Sequence, residues 1–202
     1  MSIEKRREYS SYEEYKNHQM EKTSNKSIRK KLQRRFNKKV SVFQRRFSSI
    51  LEKEYIKEGQ KVICLGARMG EEVQAFQNLG LDAIGVDLVP SLPLVIKADF
   101  NNLPFEDESF DFVYSNSFDH AFDVKMFLRS VERILKKGGH FALDLFLGEN
   151  AFKNFEVTYI ESTEDIKKLV CESFDFDFVE EFLPNPRLYR NIKNPEVIFK
   201  KS

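Results

Sequence analysis

The sequence predicts an α/β fold, a mostly parallel sheet flanked by helices and preceded by a basic helical extension. Three observations carry this. Lys61–Asp87 runs through an apolar strand, a glycine turn, a helix and a second apolar strand. Residues 111–146 repeat strand, helix and strand around a Gly-Gly turn. Residues 28–50 place an apolar side chain every three or four positions, the period of a helix. The organisation expected is an extension over residues 1–57 and one α/β domain over residues 58–202.

Length and composition agree with that division. The chain has 202 residues, 41% of them hydrophobic, which suits one ordinary domain plus an extension and a sizeable core. Twenty Phe and no Trp put much of the core mass in phenylalanine. Cys64 falls in a strand and Cys171 in a helical pattern, so both read as buried thiols and not as a disulfide framework or metal site. No apolar run reaches the roughly 18 residues of a membrane span. Met1–Ser10 is too polar for a secretory signal. A cytoplasmic location is therefore expected.

Residues 1–60 carry 17 Lys/Arg against 8 Asp/Glu, whereas residues 61–202 carry 16 against 24, a basic arm on an acidic body. Within the arm, Ser11–Met20 suggests a short helix with Tyr12 and Tyr15 as anchors. No acid occurs from Lys22 to Leu51, and Ile28, Leu32, Phe36, Val40, Phe43, Phe47 and Ile50 draw one helical stripe. Between them lie Arg29, Lys30, Lys31, Arg34, Arg35, Lys38, Lys39, Arg45 and Arg46. Three roles are open for this helix: docking over the face or mouth of the sheet, with its cations solvated or facing the acidic body; a patch for RNA or another polyanion; and a membrane-surface helix.

The domain opens on Val62–Leu65, Gly66–Gly70, Glu71–Leu79 and Ala83–Val86, ending on Asp87. Glycines let backbone approach a ligand, the free N–H groups of a helix start favour anions, and an acid at the next strand end can take ribose hydroxyls. The spacing is not that of a dinucleotide site, because Arg68 and Glu71 stand where G-x-G-x-x-G needs glycine. Nor is it a P-loop, which needs a Gly-Lys-Ser/Thr ending. Further on, Pro90 and Pro93 lie where a second crossover helix would run, so only a loop is expected before the strand Leu94–Lys97.

This stretch resembles the first motif of the class I S-adenosylmethionine-dependent methyltransferases, an acid followed by G-x-G-x-G, with Cys64 at the acid and Arg68 at the middle glycine. Two later phrases match the same family. Leu103-Pro104-Phe105, Phe110-Asp111, the strand through Val113-Tyr114 and Ser115-Asn116 form one, and Arg133-Ile134-Leu135-Lys136-Lys137-Gly138-Gly139 forms the other. The loop is also similar to that of uncharacterised methyltransferase type 11-like proteins carrying Gly-Ala-Arg-x-Gly-x-Glu, with Glu72 as the acid matching Arg68. The resemblance covers about residues 58–200 and implies a Rossmann-like seven-stranded sheet, one crossover helix missing, closed by an antiparallel hairpin.

It also implies the cofactor, S-adenosyl-L-methionine, and the residues around it: Leu65, Gly66, Ala67, Arg68, Gly70 and Glu72 on the loop, then Asp87 and Leu88, Asp99 and Phe100, and Ser115 and Asn116. The amides of residues 67–70 are expected near the cofactor carboxylate. The Arg68 side chain either adds a charge-assisted bond there or points to solvent. Ser115 and Asn116 are expected to face the methionine part. His120, with Asp119 second, is the candidate base for a hydroxyl or amine acceptor, although a loop histidine capping the next helix is an equal alternative.

The remaining pattern gives a helix over Asp123–Lys136 stopped by the glycines, a strand His140–Phe146, a helix Ser162–Cys171, and strands Phe174–Phe182 and Glu196–Phe199 joined by a loop with Pro184 and Pro186. No room is left for a separate acceptor-binding domain, so the basic extension is expected to cover part of the active-site mouth; the acceptor expected is a small-molecule or glycan-type hydroxyl or amine. Two alternatives remain: a methyltransferase-like binding protein without activity, and an RNA methyltransferase using residues 22–51.

Overall fold

The computed structural model describes residues 3–148, 155–182 and 195–202, so the loop expected around Pro184 and Pro186 lies outside the described residues. A short strand β1 (Ile3–Lys5) leads to two helices, α1 (Tyr12–Ser24) and α2 (Lys26–Glu52). The sheet then begins with β2 (Lys61–Leu65), α3 (Glu71–Asn78), β3 (Asp82–Asp87), β4 (Val95–Lys97) and β5 (Phe110–Ser115). After a 3-10 turn at Phe118–His120 come α4 (Val124–Ile134), β6 (Leu135–Asp144), β7 (Thr158–Ile160), α5 (Thr163–Ser173), β8 (Phe176–Phe182) and β9 (Glu196–Lys201).

Seven strands form one sheet in the order β4-β3-β2-β5-β6-β9-β8. The first five are parallel, and β9 enters antiparallel between β6 and β8. This is the expected Rossmann-like sheet with its closing hairpin. A loop alone joins β3 to β4, as the two prolines require. Successive strand residues feed two cores. Val62, Cys64, Phe112 and Tyr114 face α2 and α3, while Ile63, Leu65, Val113 and Phe141 face α4 and α5. Both faces are covered, which is why the central strands read as unbroken apolar runs.

The extension docks. From Phe36 to Ile50 the stripe of α2 packs against α3 and the sheet, with Phe47 stacked on Phe76 at 3.9 Å between ring centroids, while Ile28 and Leu32 are half-buried. Its opposite face leaves Lys26, Lys30, Lys31, Arg34, Arg35, Lys38 and Arg45 exposed. Arg46 differs from its neighbours: it is buried and pairs with Asp144 at the end of β6 and Glu196 at the start of β9. No described helix is long and apolar enough to cross a membrane.

Three local expectations are corrected, and one strand is unforeseen. Helix α4 ends at Ile134, before the glycines. Leu135 is extended and pairs with Phe110, and Phe112 next pairs with His140, so Lys136–Gly139 bulge out of the strand. Gly138 there is left-handed at φ +73°, and a Cβ on Gly139 would lie 2.8 Å from the Asp111 carbonyl oxygen. The glycines therefore shape the bulge and do not stop the helix. Helix α1 runs past Met20 to Ser24. The polar N-terminus forms β1, paired antiparallel with β7. Finally, Cys171 is an exposed thiol on α5, whereas Cys64 is buried as expected.

Candidate functional site

The carboxyl ends of β2, β3, β4 and β5 meet at one cleft, where ligands of open parallel sheets bind. Gly66, Arg68, Asp87, Leu88, Phe100, Ser117 and His120 line it from the domain. Helix α1 closes the other side with Tyr15, Gln19, Lys22 and Thr23.

The loop after β2 has a strained geometry. Gly66 sits at φ +73°, and a Cβ there would lie 2.7 Å from Ser117 Oγ. Only glycine lets the β5 turn approach so closely. Arg68 is left-handed at φ +48°, the conformation that favours glycine at this position. Its amide donates to Asp87 Oδ2 at 3.1 Å. Ala67 N donates to the Val86 carbonyl and Gly70 N to the Ala67 carbonyl. Three of the four amides expected near a cofactor carboxylate are thus engaged within the protein. The loop's donors serve its own shape, which leaves the Arg68 side chain as the cationic group of this wall.

Asp87 is held at both oxygens, with Val89 N donating to Oδ1 at 2.9 Å and Arg68 N to Oδ2. Burial pushes its pKa up, opposed by these amides and by the Arg68 and His120 charges. A carboxylate offers about four lone-pair sites, so each oxygen still has one for a hydroxyl in the cleft. At the end of β4, Asp99 Oδ1 accepts from Asn101 N at 2.9 Å, and Oδ2 accepts from Tyr12 Oη of α1 at 2.6 Å.

His120 is oriented by its neighbour. Nδ1 lies 2.9 Å from the Phe155 carbonyl oxygen. That oxygen only accepts, so Nδ1 carries the proton and Nε2 is the lone-pair nitrogen. Asp119 and Glu156 lie beside it, with ligand-capable atoms of all three within 4.8 Å of one another. Asp119 is buried, which raises its pKa, and it belongs to a separate small hollow with Glu156 and Thr158. Lys22 reaches the cleft from α1, and burial lowers its pKa.

Other predicted residues lie behind the cleft. Ser115 is fully buried and donates to the Leu65 carbonyl oxygen at 3.1 Å, tying β5 to β2. Asn116 Nδ2 donates to Glu72 Oε1 at 2.9 Å, so Glu72 takes its partner from β5 and not from Arg68. In this turn the residue that lines the cleft is Ser117, one position later. Leu65, Ala67 and Gly70 shape the loop from behind. The extension is expected over the mouth of the site, and α1 lies there; which of its side chains line the cleft, and the place of Ser117, are not marked by any period in the sequence.

Burial, with Glu71 alongside, pushes the Glu72 carboxyl up to about 7. An acid raised above its unfolded value binds more protons when folded, so its contribution to stability is present at low pH and is lost as pH rises from about 4.5 to about 7. Glu72→Gln keeps the acceptor for Asn116 and removes that cost. Its Tm is expected to exceed that of the wild type by several degrees at pH 8 and by little at pH 4.5, measured by thermal unfolding at both pH values.

Comparison with known proteins agrees with this geometry. Residues 63–143 match the methyltransferase domain family. Over 95 residues the chain is 33% identical to phthiotriol/phenolphthiotriol dimycocerosates methyltransferase of Mycobacterium leprae, covering 44% of this chain and 35% of that protein. Over 74 residues it is 36% identical to the counterpart in Mycobacterium tuberculosis, covering 33% and 27%. The chain therefore spans about a third of the length of these curated relatives. Among solved structures, it superposes on Burkholderia thailandensis 1,6-didemethyltoxoflavin-N1-methyltransferase, bound to 1,6-didemethyltoxoflavin and S-adenosylhomocysteine, with TM-score 0.65, 17% identity and coverage of 79% of this chain and 78% of that one. A Mesorhizobium loti S-adenosylmethionine-dependent methyltransferase gives TM-score 0.59 and 16% identity over 74% of this chain and 95% of that one. The likeness to the methyltransferase domain family is carried by residues 63–143, and the solved structures share the Rossmann-like fold of this chain.

Proposed function

We propose that this chain is an S-adenosylmethionine-dependent methyltransferase acting on a hydroxyl or amine of a small-molecule or glycan-type acceptor. The observation that carries the reading is Asp87, fixed at the end of β3 with acceptor sites facing the cleft, between the Gly66 approach and the Phe100 ring. The donor set fits the cofactor. Asp87 suits the ribose hydroxyls, Leu88 and Phe100 an aromatic base, and Arg68 a carboxylate. The Burkholderia thailandensis neighbour is bound to 1,6-didemethyltoxoflavin, and by their names the mycobacterial relatives methylate phthiotriol and phenolphthiotriol dimycocerosates, which supports a non-polymeric acceptor.

When bound, the cofactor supplies an electrophilic methyl group, and the protein positions the acceptor and manages its proton. Nε2 of His120 is the group that takes this proton, with Nδ1 anchored on the Phe155 carbonyl so that the lone pair points away from that bond. His120→Ala is expected to lower kcat roughly 10²–10⁴-fold and leave affinity for S-adenosylhomocysteine unchanged, as read by turnover and by calorimetry.

The exposed cations of α2 favour one second reading, an RNA acceptor. Incubation with methyl-labelled S-adenosylmethionine and a cell extract separates the two. Label in low-molecular-weight material, absent with His120→Ala, supports the first reading. Label in ribonuclease-sensitive material overturns it in favour of the second.

A further inference from the structure

Helix α1 sits where a ligand would enter. The cleft beneath it has a volume of about 50 Å³, against roughly 300–1,000 Å³ for a small-molecule site. An adenosyl cofactor does not fit until something moves. The sheet is covered on both faces, whereas α1 has no continuous apolar stripe and is held by a local aromatic cluster, Tyr12 and Tyr15 against Phe122 and His18 stacked on Phe155, with a few polar contacts beside it. Tyr15 Oη donates to the His120 carbonyl oxygen at 3.1 Å and Gln19 Nε2 to the Phe155 carbonyl oxygen at 2.8 Å. Asn25, extended at ψ 115°, separates α1 from α2 and caps α2 through Ser27 N and Ile28 N. Helix α2 therefore keeps its own start when α1 swings.

The contact at Asp99 is the informative one. A ribose held by Asp87 at the end of β3 places its base over the adjacent strand β4, whose end carries Asp99. Asp99 Oδ1 is occupied by Asn101, and Tyr12 Oη donates to Oδ2 while accepting from Asn101 Nδ2 at 3.0 Å. The Tyr12 hydroxyl and the amino group of adenine are both donors to Oδ2; that oxygen keeps a second lone-pair site, so the conflict is over the space beside the carboxylate, where Tyr12 Oη already stands at 2.6 Å.

We propose that α1 is a removable cover of the cofactor cleft, latched by Tyr12 on Asp99, and that the base of the entering cofactor takes the place of Tyr12 at the Asp99 oxygen. The proposal rests on the cofactor reading above and deepens it: cofactor uptake is gated by the basic extension, and binding releases α1. Tyr12→Phe keeps the ring and removes the latch, so the open form gains population and apparent affinity rises.

The test combines hydrogen exchange with calorimetry on the full chain. Without ligand, Tyr12→Phe is expected to raise amide exchange across residues 12–24 about 10-fold, with the sheet unchanged. In the wild type, S-adenosylhomocysteine is expected to raise exchange over the same residues, and Tyr12→Phe to bind it 3–10-fold tighter. Exchange that is unchanged in ligand-free Tyr12→Phe overturns the latch. So does greater protection of α1 on binding together with weaker binding by Tyr12→Phe, the pattern of a lid that closes over its ligand. Binding by neither protein, with the ligand-free difference intact, overturns the cofactor's claim on Asp99 and the cofactor reading with it.

Discussion

Asp87→Ala is expected to weaken S-adenosylhomocysteine binding by at least 100-fold in calorimetric titration. Asp87 presents two oxygens at the cleft, each already carrying one backbone amide and each able to accept one ribose hydroxyl. A hydrogen bond to a charged group contributes about 1.5–3 kcal/mol, and losing two of them spans roughly two to four decades of affinity. The substitution also frees the amides of Arg68 and Val89, which loosens the loop. Asp87→Asn separates the two effects, because one carbonyl oxygen remains to hold part of the loop. It is expected to bind more weakly than the wild type and more tightly than Asp87→Ala. Equal affinity in all three proteins would remove Asp87 from the site.

The largest stability effect is expected at Arg46. Its guanidinium is buried between Asp144 and Glu196 and joins α2 to the closing hairpin of the sheet. Burial pushes Glu196 up to about 7 even with Arg46 beside it, and burial also raises Asp144. Arg46→Ala leaves two acids buried without their counter-charge, at a cost of about 3–5 kcal/mol, which lowers Tm by roughly 6–20 °C for a chain of this size. The pH dependence gives the sign. Both acids then sit further above their unfolded values, so the variant is less unstable near pH 5, where they bind protons, and loses stability as pH rises toward 8. Urea denaturation at the two pH values checks this. A variant equally destabilised at both would show that lost packing, and not charge, carries the effect.

What is legible in the sequence follows from which physics leaves a periodic trace. The parallel strands are apolar throughout because both faces are covered, and the α2 stripe is regular because its side chains meet one packed surface. The prolines announce the missing crossover helix through a steric rule that tertiary context rarely overrides. The Gly-Gly pair reads as a helix stop because glycine serves both at helix ends and in bulges, and only the pairing of Leu135 with Phe110 reveals the bulge.

At the site, position is legible and orientation is not. Ser115 does end β5 and Asn116 follows it, but the strand stops there and the turn that comes next sets where each side chain points. Ser115 therefore ties down β2, Asn116 meets Glu72, and Ser117 reaches the cleft. Helix α1 is legible as a helix and its tyrosines as anchors. Its place over the mouth follows from the extension being the one large addition to the domain, but the contacts of Gln19 and Lys22 do not, because they act on a surface remote in sequence and no local pattern records such a contact.

The most direct test is calorimetric titration of the purified chain with S-adenosylmethionine and, separately, with S-adenosylhomocysteine. Saturable binding of both at one site per chain, with micromolar affinity and lost in Asp87→Ala, is the expected result. A folded protein that binds neither ligand would contradict it, and would turn attention to the cationic face of α2 and whatever polyanion it meets.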